Sequence, residues 1–241
     1  MALGGVRPRR ALQDGLHARP LPARSQAQGP TAGAPKKSVA DAARFAKTLG
    51  RRLAAVAAFA AEERSVRLFF EDEARVGLHL PRYRRLTARG VGPKQPFEPL
   101  YEYYWLYGAV EPATGESYFW EMPALSAECF SLYLSKLAEA YPDSLNVVVL
   151  DNAPGHVAGT VVVPENVVPV PLPPYSPELN PIERLWLAIR QRVDVFDEAV
   201  RTELAGLREH MAEIVRSLTP ERVASLTGYG YILDAVSALQ S

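Results

Sequence analysis

Apolar residues recur along this chain in two rhythms, and the changes of rhythm mark out its elements. After Ser38, a residue suited to cap a helix, Phe45, Leu49, Leu53, Val56 and Phe59/Ala60 step by three and four residues, which predicts an amphipathic helix with Gly50 as its weak point. Val66 to Phe70 is then a short β-branched and aromatic run; it predicts a strand, followed by the acidic triplet Glu71, Asp72, Glu73 and a second short run near Val76 to Leu80. The segments YEYYWLYGAV and SYFWEM, joined by EPATGE, read as a hairpin of aromatic strands. Ser126 caps the next expected helix, with Phe130, Leu134, Leu137 and Tyr141 on one stripe. Asn146 to Leu150 is a continuous apolar run of the kind buried on both faces of a sheet, and it ends on Asp151. A proline-laden loop, Pro171 to Pro181, leads to a helix with Ile182, Leu185, Trp186, Ile189 and Val193 in register. Further helices are expected over 197–218 and 220–226.

Strands in adjacent runs, then helix, strand, strand and helix, make an α/β mixed sheet flanked by helices the economical architecture. Residues 1–37, rich in Pro, Gly, Ala, Arg and Gln and without apolar periodicity, are expected to form a disordered basic leader. The helix over 38–64 is expected to link it to a catalytic domain over 65–226, with 227–241 as a C-terminal tail.

Composition narrows the class. The chain has 241 residues, 48% hydrophobic and 22% charged, an ordinary globular balance. One cysteine, Cys129, excludes an internal disulfide and a cysteine-based zinc or iron–sulfur cluster, and suits a reducing, cytoplasmic setting. The longest uncharged apolar run, Leu53 to Ala61, is far short of the roughly 18 to 20 residues that span a bilayer, so no membrane partner is expected. Net charge is zero, but the distribution is uneven: residues 1–40 hold seven Lys or Arg against Asp14 alone. A second basic strip, Arg75, Arg82, Arg84, Arg85, Arg89 and Lys94, runs without any Asp or Glu through an otherwise acidic body. Its isolation from acids favours a track for a DNA backbone over an ordinary solvated face.

Three acids stand where function usually sits. Asp72 follows an apolar strand, Asp151 ends the most buried strand, and Glu183 opens a helix behind a stiff loop. Strand ends and helix starts face the crevice where α/β proteins bind ligands. Three carboxylates there suit hard divalent cations such as Mg2+, and a pair of such ions serves phosphodiester cleavage. Each acid also has a local reading: Asp72 as a turn residue, Asp151-Asn152 before Pro154-Gly155 as loop chemistry, and Glu183 as part of a capping box with Asn180 and Pro181.

The motifs FFEDEARVGLHL, VVVLDNAPGH and LPPYSPELNPIERLW together resemble the catalytic domain of mariner-like DDE transposases, in the insertion-sequence branch. The resemblance extends from about Lys36 to the early 220s. It implies a ribonuclease H-like fold, Asp72, Asp151 and Glu183 as catalytic metal ligands, Mg2+ with Mn2+ able to substitute, and DNA cutting with strand transfer. It also implies DNA ends and target as partners and a homodimer when active. Asp151 and Glu183 are separated by 31 residues, a few fewer than is usual in such relatives. Residues 1–37 contain no candidate for the helix-turn-helix that reads element ends, so an upstream segment or subunit is expected to supply it.

Asn152, His156 and Asn180 are expected in supporting roles; His156 would orient a carboxylate or contact phosphate, or simply fill a satisfied structural position. Trp186 is expected in the core of the Glu183 helix. The rival functions are a nuclease or resolvase of the same fold without strand transfer, and an inactive DNA-binding remnant.

Overall fold

The computed structural model describes residues 38–59, 64–78, 100–153, 156, 159–194 and 197–238. The described residues form one compact unit built on a mixed five-stranded sheet. The leader expected over 1–37 lies outside the described residues.

The elements follow the apolar rhythm closely. Helix α1 (Val39–Phe59) starts at Ser38, whose hydroxyl accepts the amide of Asp41 at 3.1 Å, and it buries Phe45, Leu49 and Leu53. Strands β1 (Ser65–Gly77), β2 (Tyr103–Glu111) and β3 (Glu116–Met122) form an antiparallel meander. The β2–β3 turn depends on Gly115, at φ 77°, where a Cβ would lie 1.8 Å from the Pro220 carbonyl oxygen. Helix α2 (Ala127–Ala140) is capped by Ser126 as expected and crosses to β4 (Ser144–Leu150), which runs parallel to β1 and to β5 (Val167–Pro171). A 3-10 turn (Pro177–Leu179) precedes α3 (Ile182–Arg190), and α4 (Glu198–Thr202), α5 (Leu204–Arg216), α6 (Pro220–Thr227) and α7 (Gly230–Ser237) follow. The strand order is β3-β2-β1-β4-β5.

Two apolar layers sandwich the sheet. On one face Phe69, Tyr107 and Val148 meet Phe130, Tyr133, Leu134 and Leu137 of α2. On the other, Leu68, Phe70, Val147 and Val149 meet α1, α3 and the C-terminal helices. The alternation of Leu68, Phe69 and Phe70 between these layers is the two-residue period of a strand, and each fully buried Phe is worth roughly 1.5–3 kcal/mol.

Several details differ from expectation. The acidic triplet does not end β1: the strand continues through it to Gly77, because β2 pairs with it all the way, from Phe70 opposite Val110 to Gly77 opposite Tyr103. The run expected near Val76 to Leu80 is therefore the end of β1, with residues 79–80 outside the described set. The helix expected over 197–218 is two, α4 and α5, separated by Glu203 in extended conformation. The helix at Glu183 ends at Arg190, before Val193. The expected tail contains α7, whose Ile232 and Ala235 are buried in the same layer as Phe45, Leu49 and Leu53. The linking helix and the tail are thus packed parts of one unit. Among the described residues no helix is long and apolar enough to cross a membrane.

Candidate active site

The parallel pairing of β1 with β4 runs from Ser65 opposite Ser144 to Phe70 opposite Val149 and then stops, while β1 continues. Beyond that point no described strand pairs with β1 on its β4 side, and Asp72 and Asp151 each follow the last paired residues of their strands by a residue or two. Two-residue alternation sends Asp72 to the α3 side of the sheet, with Phe70, and Glu71 and Glu73 to the α2 side, with Phe69.

Asp72 is half-buried, and its Oδ2 accepts the indole N–H of Trp186 at 3.0 Å. Trp186 is buried, as expected, but its polar edge is turned to the site. Room for its ring comes from Gly108, the β2 partner of Asp72: a Cβ there would lie 2.8 Å from Trp186 Cη2 and 2.8 Å from a Phe119 ring carbon. Burial, then the carboxylates of Glu183 and Glu73, and more weakly that of Asp151, push the Asp72 pKa up to about 7. Glu183, half-buried on the first turn of α3, is the largest contributor to that rise after burial.

The capping-box alternative for Glu183 does not describe this helix start. The Asn180 side-chain amide donates to the backbone carbonyl of Glu71 at 2.8 Å, tying the loop to β1, while its Oδ1 only weakly accepts the Ile182 amide, at 3.4 Å. Tyr231 of α7 donates to the Leu179 carbonyl and braces the same loop from outside.

Asp151 is largely exposed, and its Oδ1 accepts the Ala153 amide at 2.8 Å and lies 2.9 Å from His156 Nδ1. The hydrogen bond from His156 is the main reason its pKa falls below the ordinary aspartate value. Asn152 donates to the Leu172 carbonyl at 2.6 Å, fixing the chain just beyond β4 to the end of β5. His156 is buried against the Phe130 ring at 4.3 Å, and its Nε2 lies 2.7 Å from Glu73 Oε1. Burial lowers the imidazole pKa, but bonds to Asp151 and Glu73 and the charge of Glu71 outweigh it and carry it up to about 11.

Glu71 was named in the sequence only as one of an acidic triplet. It is completely buried, and among the described residues no hydrogen-bond partner reaches either carboxylate oxygen. Burial and the charge of Glu73 drive its pKa far above the ordinary range. Glu71, Glu73 and His156 each offer one donor atom within 4.8 Å of the others, an acidic cluster that could hold a metal ion. Period-two alternation from buried Phe69 was the available signal for this cluster.

Of the basic strip, Arg75 is exposed near the end of β1, its guanidinium 4.0 Å from the Tyr103 ring centre. Arg82, Arg84, Arg85, Arg89 and Lys94 lie outside the described residues.

Residues 67–201, more than half the chain and including all three carboxylates, match the family model of the DDE superfamily endonuclease. The chain belongs to the DDE superfamily endonucleases. A relative from Sinorhizobium fredii, the uncharacterized protein y4pE/y4sA, is 34% identical over 87 residues, covering 36% of this chain and 64% of that protein. Among solved structures, the Mos1 strand transfer complex aligns over 89% of this DDE endonuclease chain and 65% of its own, with TM-score 0.55 and 15% identity. The Mos1 paired-end complex with the left transposon end gives 0.54 and 14%, over 89% and 66%. The chain spans just under two thirds of those relatives. At such identities the likeness is one of fold, and it is the ribonuclease H-like sheet.

Proposed function

We propose that this DDE endonuclease chain is the catalytic subunit of a transposase that cuts DNA and joins strands, with Asp72, Asp151 and Glu183 as ligands of divalent cations, Mg2+ with Mn2+ as substitute. What supports the reading most is the setting of Asp72: it lies on β1 just past the last β1–β4 pair, Asp151 follows the end of β4, Glu183 lies on the first turn of α3, and the charges of Glu183 and Asp151 add to burial in raising the Asp72 pKa. Such mutual repulsion fits a site completed by cationic charge, and carboxylates are the donors that hard divalent ions take. Two bound ions would stabilise the attacking and leaving oxygens of a phosphodiester.

The chain's own residues prepare that site. Trp186 holds one oxygen of Asp72, His156 and the Ala153 amide hold Asp151, and Asn180 fixes the loop that presents Glu183. The proposed partners are DNA ends and target, since the Mos1 structures include a strand transfer complex and a complex with a transposon end. A homodimer and an upstream helix-turn-helix segment complete the proposal, and the strip Arg75, Arg82, Arg84, Arg85, Arg89 and Lys94 is its DNA-backbone track. The chemistry is assigned to residues 65–226.

A joining assay separates this from its rivals. The chain is incubated in Mg2+ with a plasmid target and a pre-cut end from the inverted repeats flanking its gene, with and without the upstream segment. Covalently joined product is expected. Nicking without joining under every condition would make it a nuclease, and neither activity from folded protein would make it a remnant.

A further inference from the structure

Behind the triad, on the α2 side of β1, lies a second group of donors that the proposed DNA chemistry does not use. Glu71 is fully buried and, among the described residues, neither carboxylate oxygen has a hydrogen-bond partner, an arrangement that is costly for a charged group unless a cation binds it directly. It is aimed into a cluster in which one atom each of Glu71, Glu73 and His156 lie within 4.8 Å of one another. We propose that Glu71, Glu73 and His156 form a separate binding site for a divalent transition-metal cation of the Zn2+ class.

The donor set decides the class. One imidazole and two carboxylates form a three-ligand set of the kind that Zn2+ takes with a further position left for water, whereas Mg2+ favours oxygen donors and keeps several waters. The surroundings of His156 fit a ligand. Its ring packs on Phe130, and Nδ1 lies 2.9 Å from Asp151 Oδ1, the carboxylate–histidine arrangement that fixes the tautomer and leaves Nε2 to the metal. Nε2 faces Glu73 Oε1 at 2.7 Å, closer than two donors of one tetrahedral Zn2+, which lie roughly 3.3 Å apart; a cation binding there moves the two atoms apart and releases the imidazole proton to solvent. Asp151 is then shared, a proposed ligand of the triad site and a support for His156 behind it. The site stands on observations independent of the transposase reading and survives if that reading fails.

The test uses the full chain with Asp72→Asn and Glu183→Gln, which weakens the edge site and leaves Asp151 in place. Titration calorimetry with Zn2+ alone should give one ion per chain, and an excess of Mg2+ should not compete. Adding Glu71→Gln or His156→Gln should weaken Zn2+ binding at least about tenfold, the effect of losing a ligand or its support. In thermal unfolding, Zn2+ should raise the midpoint of the Asp72→Asn/Glu183→Gln protein and leave the Glu71→Gln version unmoved. Glu71→Leu, which fills a similar volume and carries no ligand atom, replaces Glu71→Gln if the latter does not fold. Absence of a stoichiometric Zn2+ site in the Asp72→Asn/Glu183→Gln protein, equal competition by Mg2+, or unchanged Zn2+ affinity in the Glu71 and His156 variants would each overturn the proposal.

Discussion

Strand β1 delivers acids to both sides of the sheet, and the two sides treat them differently. On the α3 side, Asp72 stands just past the end of the β1–β4 pairing, receives an indole N–H, and has its pKa raised by burial and by the charges of Glu183, Glu73 and Asp151. On the α2 side, Glu71 is one residue away in sequence, yet it is fully buried beside Glu73 and His156, and among the described residues no donor is bonded to either of its oxygens. Residue type does not distinguish them. Burial and donors do: the half-buried acid has an indole N–H for a partner, whereas the fully buried one is satisfied by something small and positive, a proton or a cation.

Removing the edge acids should have the largest effect. Asp72→Asn, Asp151→Asn or Glu183→Gln is expected to lower Mg2+-dependent plasmid nicking on the order of a thousandfold or more with circular dichroism unchanged, whereas Glu71→Gln should cost less than about tenfold. Equal losses on the two sides would erase the contrast.

Next comes Gly108→Leu. The new side chain drives into Trp186 and Phe119, so stability should fall by about 1–3 kcal/mol in urea unfolding, with a shift in tryptophan emission as the indole leaves Asp72. A variant as stable as the parent would mean that the ring does not need that space. Trp186→Phe keeps most of the ring and removes only the donor, so about 1 kcal/mol and a smaller loss of nicking are expected.

The smallest signal is a slope. With the Asp72 pKa raised from its ordinary value to about 7, the native state keeps a proton that the unfolded chain has already released between about pH 4 and 7. Metal-free stability should therefore fall as pH rises through that window, and Asp72→Asn should make the fall shallower by less than one proton. An identical slope in the variant would separate Asp72 from its acidic neighbours.

Much of this was legible in the sequence because the signals were local. The aromatic hairpin, the doubly buried Asn146–Leu150 run and the Ser38 and Ser126 caps all depend on periods and spacings of a few residues. What escaped depends on partners far away. Glu71, Asp72 and Glu73 are poor strand formers, so the pattern breaks β1 there; the neighbouring β2 strand, not propensity, carries it on to Gly77. The local pattern at Glu183 reads as a capping box, but Asn180 spends its amide on Glu71, 109 residues away. Trp186 was correctly placed in the core, yet a stripe of apolar positions cannot say where an indole N–H points. The C-terminal residues looked like a tail because a helix as short as α7 is recognisable only through its packing on α1.

The central claim, that Asp72, Asp151 and Glu183 share a cation site, is tested most directly by anomalous scattering from crystals of the chain grown with Mn2+. At least one anomalous peak in contact with all three carboxylates is expected, and it should disappear in Asp72→Asn crystals grown in the same way. Mn2+ found only elsewhere on the protein, or a peak that persists unchanged in Asp72→Asn, would contradict the account.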